Sequence, residues 1–249
     1  MLKTLDQALK LLQYFTRERP QWGVRELAAE MEMSHTVAYR MLVTFTRHGL
    51  LTQEPETKKY RLGLKVLEYG GIIRDQLNIT DIIYPVMKAL SDKTGESIFL
   101  TWLDGSDGIC TEIVESNQSI KYALNVGSRT PLYAGASNKV IMAYMPIDVI
   151  KAILEKGLQP KTPNTIANRE SLLQNLETIK KAGWAYSLGE YTEDTFGVAM
   201  PIFDSSGKPV ASLTIAGPKY RMSDEKVPEM VDALRKSIDS IHQIVQQIM

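Results

Sequence analysis

The residues best suited to do chemistry lie between Arg25 and Arg61. Ser34, His35, Thr36, Tyr39, Arg40 and Arg47 fall largely on one side of a predicted helix, away from an apolar stripe of Val37, Met41, Leu42 and Phe45. Such a helix suits the major groove of DNA. Arg40, His35 and Tyr39 can meet base edges or phosphates, and Ser34, Thr36 and the helix N–H groups suit phosphate oxygens. Lys58, Lys59 and Arg61 lie on a predicted hairpin, where they could hold the backbone, and Arg25 completes this DNA-binding set. The alternative is a helical domain that binds protein and keeps these polar residues as a solvated face.

Two further stretches suit a small ligand. Gly135, Ala136, Ser137 and Asn138 open a predicted helix, whose N–H groups and positive dipole end suit an anion such as a carboxylate. Ser187 to Asp194 is a polar loop between predicted strands and includes Glu190. No catalytic constellation accompanies them. His242 lies deep in a C-terminal helix, while His35 and His48 fall in the DNA-reading part. The one cysteine, Cys110, permits no intrachain disulfide or cysteine-based metal site, and no His or Lys beside it in sequence activates it. No phosphate loop is present. No enzyme activity, metal or cofactor is therefore expected.

These residues need elements to position them. Thr4 and Gln7 have capping-box spacing, and Leu5, Ala8, Leu9, Leu12 and Phe15 then recur at helical period. A second helix runs from about Val24 to Glu30. Glu32-Met33-Ser34 is a tight connection, and Ser34 caps a third helix that ends before Gly49. Two short strands follow, joined by Glu54 to Lys58. Helix, tight turn, polar-faced helix and hairpin make a winged helix-turn-helix pattern. It departs from the usual pattern at Glu32, where glycine is common for a left-handed backbone; a side chain there costs up to ~1 kcal/mol.

Leu64 to Gln76 reads as a linker helix weakened by Gly70-Gly71. Beyond it, helices are expected at about 79–94, 136–144, 147–155, 169–182 and 224–247. Strands are expected at 97–103, 108–115, 184–189, 196–203 and 210–216. Hairpins with flanking helices mean a mostly antiparallel sheet and an α+β class. The expected domains are 1–63 (DNA binding), 64–77 (linker helix) and 78–249 (effector binding and oligomerisation).

A length of 249 residues suits one large domain or two smaller ones. The 29 basic and 29 acidic residues balance, but unevenly along the chain. Residues 1–61 hold ten basic against seven acidic, and the rest nineteen against twenty-two. A net charge of zero therefore does not exclude a polyanion partner. With only about three excess positive charges, one head should hold DNA weakly, so paired heads are expected. The N-terminus lacks a signal-peptide core, and the longest uncharged apolar run, Val140 to Ile147, is too short to span a bilayer. A cytoplasmic protein without a membrane partner is expected.

Five stretches in order resemble the IclR family of bacterial transcriptional regulators. They are Arg25 to Leu42 with Gly49-Leu50-Leu51 and Tyr60 to Gly63; Gly127 to Lys139; Ile179 to Ala185; Gly197 to Asp204; and Ala211 to Arg221. The resemblance implies a winged helix-turn-helix, a linker helix and a GAF-like effector-binding domain, assembled as a homodimer or a tetramer (a dimer of dimers). It also implies that Leu132, Gly135, Ala136, Ser137, Asn138, Ser187, Glu190, Gly197 and Val198 bind the effector. Ser187 stands where some members that bind small oxo-acids carry Asp, and Gly197 where they often carry Cys, which implies a differently shaped pocket. The expected function is a ligand-responsive regulator bound to a double-stranded DNA operator. It would most simply repress a nearby metabolic operon and respond to a small, carboxylate-bearing effector. A transcriptional activator of the same architecture, or a protein-interaction module without DNA binding, are the alternatives.

Overall fold

A computed structural model describes the backbone of residues 1–77, 79–119 and 124–248, and the side chains of these residues except 79–80 and 242–248. The side chain of His242 therefore lies outside the described residues. The chain divides into two compact units, Met1–Leu77 and Asn78–Met249.

In the first unit, α1 (Lys3–Leu12), α2 (Val24–Glu30) and α3 (His35–Arg47) precede β1 (Leu51–Gln53), β2 (Tyr60–Leu62) and α4 (Leu64–Gln76). The core joins Leu11, Phe15, Trp22, Leu27, Met41, Leu42, Phe45, Leu51 and Tyr60. Trp22 and Tyr60 exchange both backbone hydrogen bonds, at 2.9 and 2.8 Å, which pins the hairpin to the segment ahead of α2. Ser34 caps α3 through its Oγ, which accepts from the Val37 N–H at 3.3 Å. Glu32 is left-handed, with φ 51°, so the turn takes the strained conformation without glycine.

Three sequence expectations need correcting in this unit. Thr4 caps nothing: Leu2 holds the cap position and its carbonyl accepts from Asp6 N–H, which puts Thr4 inside the first turn. On α1 it is Leu11 that is buried, while Leu5 and Leu9 stay half exposed, because the face that meets the core is centred on Leu11 and Phe15. On α3, Val37 of the expected apolar stripe is exposed, while Ala38 is buried with Met41, Leu42 and Phe45. Residue 38 lies three before Met41, on the same side of the helix.

The second unit begins with a π-helical stretch, Ile79–Ile83, that runs into α5 (Tyr84–Thr94), with Pro85 tolerated in the first turn. Six strands follow: β3 (Ser97–Asp104), β4 (Asp107–Val114), β5 (Arg129–Pro131), β6 (Ala185–Leu188), β7 (Thr195–Phe203) and β8 (Pro209–Pro218). They form one antiparallel sheet in the order β5-β4-β3-β8-β7-β6. The strand β5 is absent from the sequence expectation; three residues give no alternation to read. The helices α6 (Ala136–Met142), α7 (Ile147–Glu155) and α8 (Arg169–Ala182) pack on one face. The other face is covered by α5 and by α9 (Val227–Ile248).

Register decides which side chains see which layer. Directly opposed residues share a face. Ser187 pairs with Gly197, Gly197 with Ala216, Phe99 with Thr214, and Thr101 with both Ser212 and Cys110. All of these face α6. The alternate set, including Ile98, Leu100, Val198, Leu213 and Ile215, faces α5 and α9 and is fully buried.

Candidate functional site

Two sites emerge, one in each unit. In the first, every proposed DNA-contacting residue on the helices is exposed: Arg25 on α2, and His35, Thr36, Tyr39, Arg40 and Arg47 on α3, with Ser34 at its cap. Their common surface follows from the packing, because Ala38, Met41, Leu42 and Phe45 use up the opposite side of the helix. The hairpin is less free. Lys59 Nζ lies 3.3 Å from Glu26 Oε1, and Arg61 lies 3.9 Å from Glu54. Glu26 also accepts from the Gly23 N–H at 3.2 Å. That bond first, and Lys59 next, hold its carboxyl below the usual range. These exposed pairs are worth little in water, so a phosphate can replace either carboxylate. Lys58 sits on the turn itself, left-handed with φ 57°.

In the second unit, a cavity of about 50 Å³ lies between the sheet and the start of α6. It brings together Gly135, Ala136, Ser137, Asn138, Ser187, Glu190 and Gly197 from three separate stretches of sequence. Leu132 and Val198 do not line it. Val198 alternates with Gly197 on β7 and so points to the opposite layer. Leu132 is fully buried in the core under α7 and α8. The wall also includes Phe99, Thr101, Thr130, Tyr191, Phe196 and Thr214, several of them from the central strands. A sequence signal for two of these existed: Thr101 and Thr214 are hydroxyl residues each set between two apolar neighbours in a strand.

Two glycines set the clearances. A Cβ at Gly108 would fall 2.1 Å from Asn138 Oδ1 and 2.6 Å from Thr101 Cγ2, so only glycine lets α6 lie this close to β4. At Gly197 a Cβ would lie 3.3 Å from the Ala136 Cβ and 3.4 Å from Ser187 Oγ, in the cavity wall.

The start of α6 is occupied from within. Gly135 N–H donates to Glu190 Oε2 at 3.2 Å, and Ala136 N–H donates to Ser187 Oγ at 3.0 Å. The expectation that these N–H groups stand free for an anion is therefore corrected for Gly135 and Ala136, which two side chains of the facing strand and loop already take. Glu190 Oε1 accepts from Lys139 Nζ at 2.6 Å, and the same ammonium donates to Asn175 Oδ1 at 2.9 Å. Lys139 is fully buried, and that burial lowers its pKa against the opposing pull of Glu190. The loop carrying Glu190 is braced in turn. Thr162 Oγ1 donates to Gly189 O at 2.6 Å, and Thr165 Oγ1 to Glu190 O at 2.7 Å.

Cys110 lies on the same sheet face. Burial, and after it the Glu112 carboxylate, push its thiol up to about 12. It should therefore resist a disulfide reagent at pH 8 in the folded protein and react fully in denaturant. Rapid reaction of the native protein would contradict this placement. Among the described residues no group of His, Cys, Asp and Glu could hold a metal ion, and no helix is long and apolar enough to cross a membrane.

Comparison with known proteins agrees with this division. Residues 4–55 match the model of the IclR helix-turn-helix domain, and residues 73–243 that of the bacterial transcriptional regulator IclR C-terminal domain. The chain is 33% identical to the HTH-type transcriptional regulator KdgR of Escherichia coli, over 93% of its length and 88% of that protein's. It is 30% identical to the HTH-type transcriptional regulator KipR of Bacillus subtilis, over 99% and 97%. The crystal structure of the Thermotoga maritima IclR superposes with a TM-score of 0.75 at 33% identity, covering 98% of each chain.

Proposed function

The chain belongs to the IclR family of bacterial transcriptional regulators, a DNA-binding regulator with a C-terminal effector domain and not an enzyme, and from this we propose that it represses a nearby metabolic operon until a small, carboxylate-bearing effector fills the cavity under α6. The observation that carries the reading is a polar helix face in one unit and a built cavity in the other, within one chain. Repression asks least of the molecule. A protein sitting on its operator excludes polymerase by occupancy, and release needs a coupling of only ~1–3 kcal/mol between the two sites. Among the described residues, the Lys139–Glu190 pair leaves the cavity wall with no net charge. A carboxylate would then be held by hydroxyl donors such as Ser137 and Thr101 rather than by a facing cation.

The DNA-binding assignment covers Arg25, Ser34, His35, Thr36, Tyr39, Arg40, Arg47, Lys58, Lys59 and Arg61. Homo-oligomerisation belongs to the same proposal. On α4 no residue is buried, and Leu64 and Leu67 are 80% and 71% exposed, while Leu2, Leu5 and Leu9 bare a further apolar strip near α1. A second copy would cover such faces and supply the second DNA-reading head.

A gel shift with the DNA upstream of the gene tests the reading. The expected complex weakens steeply as salt rises and dissociates on adding the effector. Binding indifferent to both DNA sequence and salt would sink it.

A further inference from the structure

Three charged side chains meet beside the hairpin of the first unit, and the DNA-binding set above uses only Lys59. Arg19 Nη2 lies 3.4 Å from Glu26 Oε2, and Lys59 Nζ lies 3.3 Å from Glu26 Oε1. The two cations come from separate stretches, the loop after α1 and the hairpin, and converge on one carboxylate. Two positive charges against one negative leave one over. Each of the three side chains is between 40% and 48% exposed, so an arriving anion can reach them. Arg19 is held in place. Its guanidinium carbon lies 3.3 Å from the centre of the Trp22 ring, a cation–π stack. Trp22 is itself buried, and its Nε1–H donates to Tyr14 O at 2.7 Å. The backbone of Arg19 is tied as well: its N–H donates to Thr16 Oγ1 at 3.1 Å, and its carbonyl accepts from Thr16 N–H at 3.3 Å. Such a guanidinium has already given up the rotamer freedom that binding would otherwise cost. Trp22 also exchanges backbone hydrogen bonds with Tyr60, the residue after Lys59, so Arg19 and Lys59 are mounted on one braced strip.

An exposed ion pair is worth little in water, whereas a phosphate accepts a guanidinium through two oxygens and carries a full charge. We infer that Arg19 is a further DNA-binding residue, which with Lys59 grips one backbone phosphate in the seat that the Glu26 carboxylate holds in the free protein. This rests on the reading of the hairpin as a support for the DNA backbone, and adds to it a second cation and a resident competitor. A clamp that meets phosphate alone carries no sequence information. Glu26 therefore lowers the affinity of the head for any DNA, and α3 decides among sequences.

The test uses the full chain and two labelled duplexes, the DNA upstream of the gene and an unrelated sequence of the same length, titrated over a range of salt. Arg19→Gln should weaken both duplexes alike by ~5-fold and lower the salt dependence by about one ion per head. Arg19→Lys keeps the charge without the stacked fork and should keep the salt dependence. Glu26→Gln removes the competing charge, while its amide oxygen can still accept from the Gly23 N–H. It should tighten both duplexes by ~2–5-fold, and that gain should vanish in the Arg19→Gln/Lys59→Gln background. An Arg19→Gln variant with unchanged salt dependence overturns the inference. So does a Glu26→Gln gain that persists without the two cations, which would be the effect of net charge alone. If Arg19→Gln does not fold, Glu26→Gln decides, and the absence of tightening overturns the inference. Each of these results leaves Lys58 and Arg61 on the hairpin as phosphate contacts. A wild type that binds neither duplex overturns both readings.

Discussion

Lys139→Met is expected to cost the second unit about 3–5 kcal/mol in a urea melt, the largest effect of any single substitution considered for this chain. Lys139 is fully buried, and its ammonium is held between Glu190 and Asn175. Removing it leaves the Glu190 carboxylate buried with only the Gly135 N–H for support, and that carboxylate holds the cavity loop in place. Adding Glu190→Gln should recover most of the loss, because the amide still accepts from Gly135 and no lone charge remains. The two substitutions are thus expected to be strongly non-additive. Single variants that each cost less than about 1 kcal/mol would show that the Thr162 and Thr165 braces hold the loop and that the ion pair does not.

At the other site, Arg40→Ala should weaken operator binding by about 1–3 kcal/mol and relax the preference for one base position. Arg40 is exposed on the one face of α3 that the core does not use, so its loss should leave the fold unchanged. Lys58→Ala makes the useful contrast. Removing a phosphate-binding ammonium from the hairpin turn should weaken all DNA sequences alike and lower the salt dependence by about one ion. If Arg40→Ala behaves as Lys58→Ala is expected to, with operator preference intact, Arg40 meets the backbone and base readout lies elsewhere on α3.

Much of this architecture was legible in the sequence because local signals agreed with tertiary need. The bounds of α2, α4, α7 and α8 follow from apolar period and punctuation. Gly183, for example, ends α8 at φ 80°. The turn at Glu32 was legible as a position that wants a left-handed backbone, and the helices on either side impose that conformation on a residue that resists it. What escaped was information carried between strands. Val198 and Leu132 were placed in the cavity by the family resemblance, but pleat alternation turns one to the α5 and α9 layer, and core packing takes the other. Phe99, Thr101 and Thr214 reach the cavity through pairing between β3 and β8, more than a hundred residues apart, which no local window contains. Lys139 could have been found. A lysine directly before the apolar run from Val140, on a predicted helix, asks for a buried partner.

The alternation of the sheet bears on how such a regulator can change its allegiance. Ser187, Gly197, Thr214 and Ala216 face the cavity, while Val198, Leu213 and Ile215 beside them serve the opposite core. The codons for the cavity-facing positions can therefore drift to suit a new signal while the intervening codons keep the protein folded. Descendants of one gene can come to answer different metabolites without passing through an unfolded ancestor.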